Sequence, residues 1–177
     1  DVSMFAGDSN MDPLGWGLPP DSPGHKERVR EETRVFADAL DVMAAMLGVT
    51  FDEKKCTVDF AYATEDLPLQ GRLIRKGTVA GMQVRWEGMI AQRAVMELNQ
   101  LWVMGAKLEP LWRAEHAYII TIDGEPMLQN RLDIWPHQVM ATMQKDDFHG
   151  IGMTITGLPA VNAIPQVCAA AAGIKTY

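Results

Sequence analysis

Two cysteines in 177 residues, Cys56 and Cys168, are too few for a disulfide framework and too far apart for a C-x-x-C zinc or redox site, so both read as reduced structural side chains. Histidine is also sparse: His25, His116, His137 and His149 never reach the spacing that builds a metal site on one element. Positive charge is short as well, with 16 Lys and Arg against 23 Asp and Glu and a net charge of -7. No basic cluster exists to neutralise phosphates, which excludes a nucleic-acid footprint. No apolar run approaches the roughly 18 residues of a membrane span, and no basic flank leads an apolar core as in a secretory signal. Together these absences predict a soluble cytoplasmic protein with no membrane partner. Neither G-x-G-x-x-G nor G-x-x-x-x-G-K-[ST] occurs, so the chain by itself has no usual means of holding a dinucleotide phosphate. Ser3, Ser9 and Ser22 lack the G-x-S-x-G elbow, which leaves a hydrolase reading without a nucleophile.

What is present is one domain's worth of chain, residues 1–177, long enough to bury roughly two-thirds of the surface its unfolded form exposes. Residues 1–23 are broken by Pro and Gly, and the Met11–Asp21 stretch carries Met, Leu and Trp on a long loop, which implies packing over something. Ser22 and Pro23 read as the N-cap and first position of a helix running to Leu47, with Gly48 as its stop. Val29, Phe36, Leu40, Met43 and Leu47 recur at helical spacing on one stripe, opposite Arg28, Glu31, Glu32 and Asp38.

From Cys56 the period changes to two. Thr57–Thr64 alternates like a half-buried strand, and Thr78–Ile90 with Arg93–Met104 reads as a long hairpin around Ala91-Gln92, Met82, Val84, Trp86 and Ile90 sharing a face. Glu115–Asp123 and Met127–Trp135 flank Gly124-Glu125-Pro126 as a second hairpin. Gln138–Gln144 and Gly152–Thr156 are shorter strand candidates before a closing apolar helix. That helix has Pro159 and Asn162 in its first turn, Pro165 as a kink or restart, and Gly173 as its end. The order helix, sheet, helix predicts an α+β domain: a largely antiparallel or mixed sheet covered on one face by helices, the other face available for dimerisation. Met82, Trp86, Met96, Trp102, Met104 and Trp112 either fill the single core or supply that second surface.

Candidate chemistry is thin. His137 after Trp135-Pro136 reads as a surface turn or as a donor to a substrate, and Asp146-Asp147 before Phe148-His149 as a solvated turn or an acid/base pair. Cys168 has no neighbouring base in its apolar helix. Asn162, beside a helix N-terminus, reads as a local cap or as a hydrogen-bonding group for a ligand amide or carboxylate.

Four features taken together carry a resemblance: the Asp-x-Ser start at Asp1–Ser3, the Met11–Asp21 loop, the turn Lys76-Gly77-Thr78-Val79-Ala80, and Pro159-Ala160-Val161-Asn162-Ala163-Ile164-Pro165. The chain resembles, over essentially its whole length, the C-terminal domain of the 2,4-diaminopentanoate dehydrogenase family. That family includes native amine dehydrogenases and proteins described as dihydrodipicolinate reductase-like. The Val-Asn-Ala-Ile-Pro run is the most specific of the motifs. The resemblance implies an N-terminal Rossmann domain upstream, an α+β substrate and dimerisation domain here, and hydride transfer between NAD or NADP and an imine carbon of an amine or amino-acid substrate.

On that resemblance the cofactor is bound mainly by the absent half, no catalytic residue lies in this chain, and the chain alone is inactive. The substrate pocket would be lined by Met4, Phe5, Asn10, Met11 and Leu14, and by Thr156 and Asn162 at the returning helix. A homodimer through the sheet is expected. The His-His-x-x-Lys-x-Asp-Ala-Pro-Ser-Gly motif of dihydrodipicolinate reductase itself is missing, which argues against a role in lysine biosynthesis. The alternatives are a stand-alone small-molecule-binding module, predicting an amine or ketone bound without nucleotide, and a purely structural dimerisation domain, predicting a dimer that responds to no ligand.

Overall fold

A computed structural model describes residues 13–69, 71–115, 117–135, 137, 142 and 145–173, for residues 145–149 by their backbone alone. The chain divides into two compact units, Asp1–Glu115 and His116–Tyr177. Across both, the described elements are helices and antiparallel strands, an α+β fold.

In the first unit α1 (His25–Glu32) and α2 (Val35–Leu47) precede a four-stranded antiparallel sheet built from β1 (Glu53–Ala63), β4 (Val79–Ile90), β5 (Arg93–Val103) and β6 (Leu108–Glu109), in the order β5-β4-β1-β6. A small ladder of β2 (Leu67–Leu69) and β3 (Arg72–Ile74) lies in the connection from β1 to β4 and buries Leu67 and Ile74. The expected single helix from Ser22 to Leu47 is instead two. Ser22 makes no side-chain cap: Gly24 at φ 67° is the N-cap residue, and the chain breaks again at Thr33-Arg34. The cause is a contact remote in sequence. Thr33 Oγ1 donates to the Val29 carbonyl at 2.7 Å and accepts the Trp86 indole N–H at 3.2 Å, so a buried polar pair fixes the junction against β4. The expected stop at Gly48 is present, with φ 67°.

Packing follows from period two. Cys56, Val58 and Phe60 on β1 face Trp86, Val84 and Met82 on β4, which in turn face Leu98, Gln100 and Trp102 on β5. This is the helix-covered face, where Phe36 of α2 meets Trp102 at 6.3 Å between ring centres. Met82 and Val84 are fully buried and each contributes about 1.5–3 kcal/mol by leaving water. Met96, Trp102 and Trp112, half-buried, pack against the same core, while Ile90 is half-buried and Leu47 exposed.

The other face is polar, with Thr57, Arg85 and Asn99 in one row and Lys55, Glu87 and Glu97 in another. There Gln83 Nε2 donates to Asn99 Oδ1 at 3.1 Å and Arg85 lies 3.4 Å from Glu97. At one end of this face Gly81 forms a platform: a Cβ added to it would lie 2.9 Å from the Ala61 Cβ and 3.0 Å from the Trp112 ring.

The second unit holds the expected hairpin, β7 (Tyr118–Ile122) with β8 (Leu128–Leu132), and α3 (Lys145–Ala169). The strand expected over Gly152–Thr156 is helical, and so is the backbone of Asp146–His149, expected as a turn. Pro159 lies inside the helix instead of in its first turn, and Pro165 lies inside it too, without a restart. Thr154 and Thr156 are accommodated because their hydroxyls donate to the Gly150 and Gly152 carbonyls, one turn back, each at 2.8 Å. Most of the Gln138–Gln144 segment lies outside the described residues.

Two variants test this geometry by urea midpoint. Ala91 and Gln92 occupy φ 49° and 64°, a left-handed pair that side chains resist by about 1–2 kcal/mol per residue. Replacing them with Asn-Gly is expected to stabilise the chain. A Cβ at Gly88 would overlap the Phe51 ring, so Gly88→Val is expected to cost about 1–3 kcal/mol.

Candidate functional site

The residues expected to line a pocket fall in different places. Met4, Phe5, Asn10 and Met11 lie outside the described residues. Leu14 belongs to the first unit, where its side chain packs half-buried against the core. Thr156 and Asn162 belong to the second unit and are exposed on α3, well inside the helix instead of at its start. Six residues apart, they point about 120° away from each other around the helix axis. Thr156 already spends its hydroxyl proton on Gly152.

The best-organised polar feature surrounds Leu14. The segment 13–20 crosses the end of β4 like a short extra rung: the Gly17 N–H donates to the Val79 carbonyl at 2.8 Å and the Val79 N–H to Leu18 at 2.9 Å. Trp16 is buried beneath it, and its indole N–H has no partner among the described residues. Next to this rung His25, the first residue of α1, is 3 % exposed. Its ring stacks on Phe60 of β1, with centres 4.3 Å apart and planes 22° apart. Nε2 lies 2.7 Å from the Leu14 carbonyl.

A carbonyl oxygen only accepts, so Nε2 carries the proton and Nδ1 presents a lone pair. That Nδ1 is buried without a partner among the described residues. Burial pushes the imidazole below its ordinary value of 6.5; the Leu14 bond opposes this, and the Arg28 guanidinium on the same helix adds to it. From β1 the packing group is the neutral Phe60, while the adjacent Asp59 carboxylate lies 3.8 Å from Lys26. Burial therefore favours the neutral ring, with the Nε2 proton directed at the Leu14 carbonyl. An open cavity of about 260 Å³ lies alongside, lined by Asp21, Ser22, Glu27, Lys26, Phe60 and Tyr62 among others.

Sequence reasoning weighed His25 only as a metal ligand. Its position directly after a Gly/Pro-broken, Trp-bearing loop was the available signal. Among the described residues no group of three or more His, Cys, Asp or Glu side chains is placed to hold a metal ion. His137 is exposed. Cys168 is an exposed free thiol, and Cys56 is half-buried, its thiol pushed up by burial against the opposing pull of Arg30. No described helix is long and apolar enough to cross a membrane.

Because His25 is depressed in the folded state, the unfolded chain takes up its proton first as pH falls below 6.5. The folded state's advantage is complete above 6.5, shrinks as pH falls toward the lower folded value, and levels off beyond it. Urea midpoints between pH 7.5 and 5 are expected to fall for the native chain and to stay flatter for His25→Gln.

Comparison with protein-family models and with curated proteins returns no match in either case.

Proposed function

We propose that this chain is the substrate-binding and dimerisation domain of an NAD(P)-dependent oxidoreductase acting on amines or amino acids. The observation that carries the reading is the set of sequence motifs above all resembling one domain, with the Val161–Pro165 run the most specific. Lys76-Gly77-Thr78 makes a tight turn into β4, with Gly77 at φ 78°, the Gly77 N–H on the Ala63 carbonyl at 2.8 Å and the Thr78 hydroxyl on Arg75 at 2.7 Å.

In this reading the chain's chemistry is positioning. Leu14 would contribute to an apolar wall for the carbon skeleton of the substrate. The hydride belongs to the nicotinamide, NAD or NADP, held mainly by an upstream Rossmann domain. Directed exclusion of water and orientation of the imine carbon are what this domain adds.

Self-association is supported by the β7–β8 hairpin. Its register gathers Tyr118, Ile120, Ile122, Leu128 and Leu132 with Asn130 on one face and Ile119, Thr121, Gln129 and Arg131 on the other, and the apolar members of the first face are 50–60 % exposed. A two-stranded hairpin is marginal alone, and an apolar face of this kind is stabilised by a covering surface, here assigned to a second copy. The polar outer face of the four-stranded sheet is the less suited of the two for an apolar dimer contact.

The reading frame upstream of the Asp1 codon is expected to encode a strand, a G-x-G-x-x-G loop and a helix, with a carboxylate roughly 20 residues on. The full-length product is then expected to oxidise NADH or NADPH in the presence of ammonia and a ketone. A frame without that unit overturns the dehydrogenase reading in favour of a stand-alone binding module. Light scattering on the chain is expected to give a dimer, and Ile120→Glu a monomer with an unchanged far-ultraviolet circular dichroism spectrum.

A further inference from the structure

Among the described residues, two backbone bonds tie segment 13–20 to β4, both at Val79, and one side-chain bond ties it to α1, from His25 Nε2 to the Leu14 carbonyl. The segment lies over apolar groups. Trp16 is buried, and a Cβ added at Gly17 would meet the Cδ1 of the fully buried Ile74 at 3.4 Å. A Cβ added at Gly15 would lie 2.5 Å from Nε2, so the backbone closes directly over the imidazole.

The seat of that imidazole suits the neutral ring alone. Nε2–H is occupied by Leu14 and one ring face by Phe60, while Nδ1 is buried without a partner among the described residues. A proton placed on Nδ1 would be a buried N–H with no acceptor, on a ring that then carries charge. On α1 the Arg28 guanidinium opposes that charge, and so does the positive end of the helix dipole at its first residue. Lys26 pairs with Asp59 of β1, which otherwise presents Phe60 and Tyr62, and segment 13–20 carries no titratable side chain. The open cavity alongside, about 260 Å³, is the opposite kind of place. It is lined by His25 itself and by Asp21 and Glu27, which bring negative charge to water-accessible space.

We propose that segment 13–20 is an acid-released strap: a proton taken from solvent onto Nδ1 turns the His25 ring out of its seat into the neighbouring cavity, the Leu14 carbonyl loses its donor, and the strap lifts from β4. Release uncovers Trp16, Ile74 and Val79 as an apolar patch while the four-stranded sheet stays paired. The open form binds one proton more than the closed form, so acid shifts the balance only between 6.5, the ordinary value of a hydrated imidazole, and the lower value of the seated ring. Above 6.5 the closed form keeps its full advantage.

Hydrogen exchange at the Gly17 and Val79 amides, corrected for the intrinsic effect of pH on exchange, reads the opening of the strap. In the native chain the opening constant is expected to be flat above pH 6.5 and to rise below it by at most about tenfold per pH unit, the limit for uptake of one proton, with the amides of the β4–β5 ladder unchanged. His25→Gln keeps a donor for the Leu14 carbonyl but has no titratable ring, and is expected to give a flat profile. A second readout uses the native chain alone. Nitrogen-15 shifts of the His25 ring are expected to show the Nε2–H tautomer above pH 6.5 and the doubly protonated ring appearing in step with the opening. A flat native profile, an equal rise in His25→Gln, an equal rise along the β4–β5 ladder, or an Nδ1–H ring at neutral pH overturns the strap.

Discussion

The pairing register of β4 governs the first unit, because β4 is hydrogen-bonded on both sides and its alternate residues are the core. Met82, Val84 and Trp86 face the helices only when Val84 stands opposite Val58 and Gln100. A slip of one residue would turn Gln83, Arg85 and Glu87 inward and expose the apolar set, an error that costs every packed side chain at once. The helix junction reads the same register: Trp86 reaches Thr33 only from the helix-covered face. The segment 13–20 depends on it again, since its two backbone bonds are made to Val79 at the start of the strand.

This dependence explains what was legible in the sequence. The long hairpin was readable because its alternation persists over two adjacent runs with only Ala91-Gln92 between them, and the α+β class followed from that pattern with the helical stripe before it. The break at Thr33 was not readable, because Thr33 is an acceptable helical residue whose partner lies 53 positions away. Thr154-Ile155-Thr156 misled in the opposite direction. A β-branched run reads as strand, and the bonds to the Gly150 and Gly152 carbonyls that accommodate it as helix are local features that propensity does not weigh.

Of the candidate site, the loop that crosses the sheet was legible as a loop bearing apolar side chains, but its anchor was not. His25 acts through its place in the fold, on a carbonyl 11 residues earlier and against a ring on β1. Such a role leaves no spacing signature, unlike a metal or nucleophile motif, and emerges only once β1, α1 and the loop converge. The same applies to the β7–β8 hairpin, where only the register shows that Tyr118, Ile120, Ile122, Leu128 and Leu132 share one face.

The platform at Gly81 has an evolutionary corollary. The Trp112 ring rests over the missing side chain of Gly81, which also leaves room for the Ala61 methyl. Any gain of volume at 81 must be matched by a loss at 61 or 112, so the three sites constrain one another more tightly than their neighbours do. In related chains, positions 61, 81 and 112 should change in concert: a methyl or larger group at 81 accompanying a smaller ring or an aliphatic residue at 112.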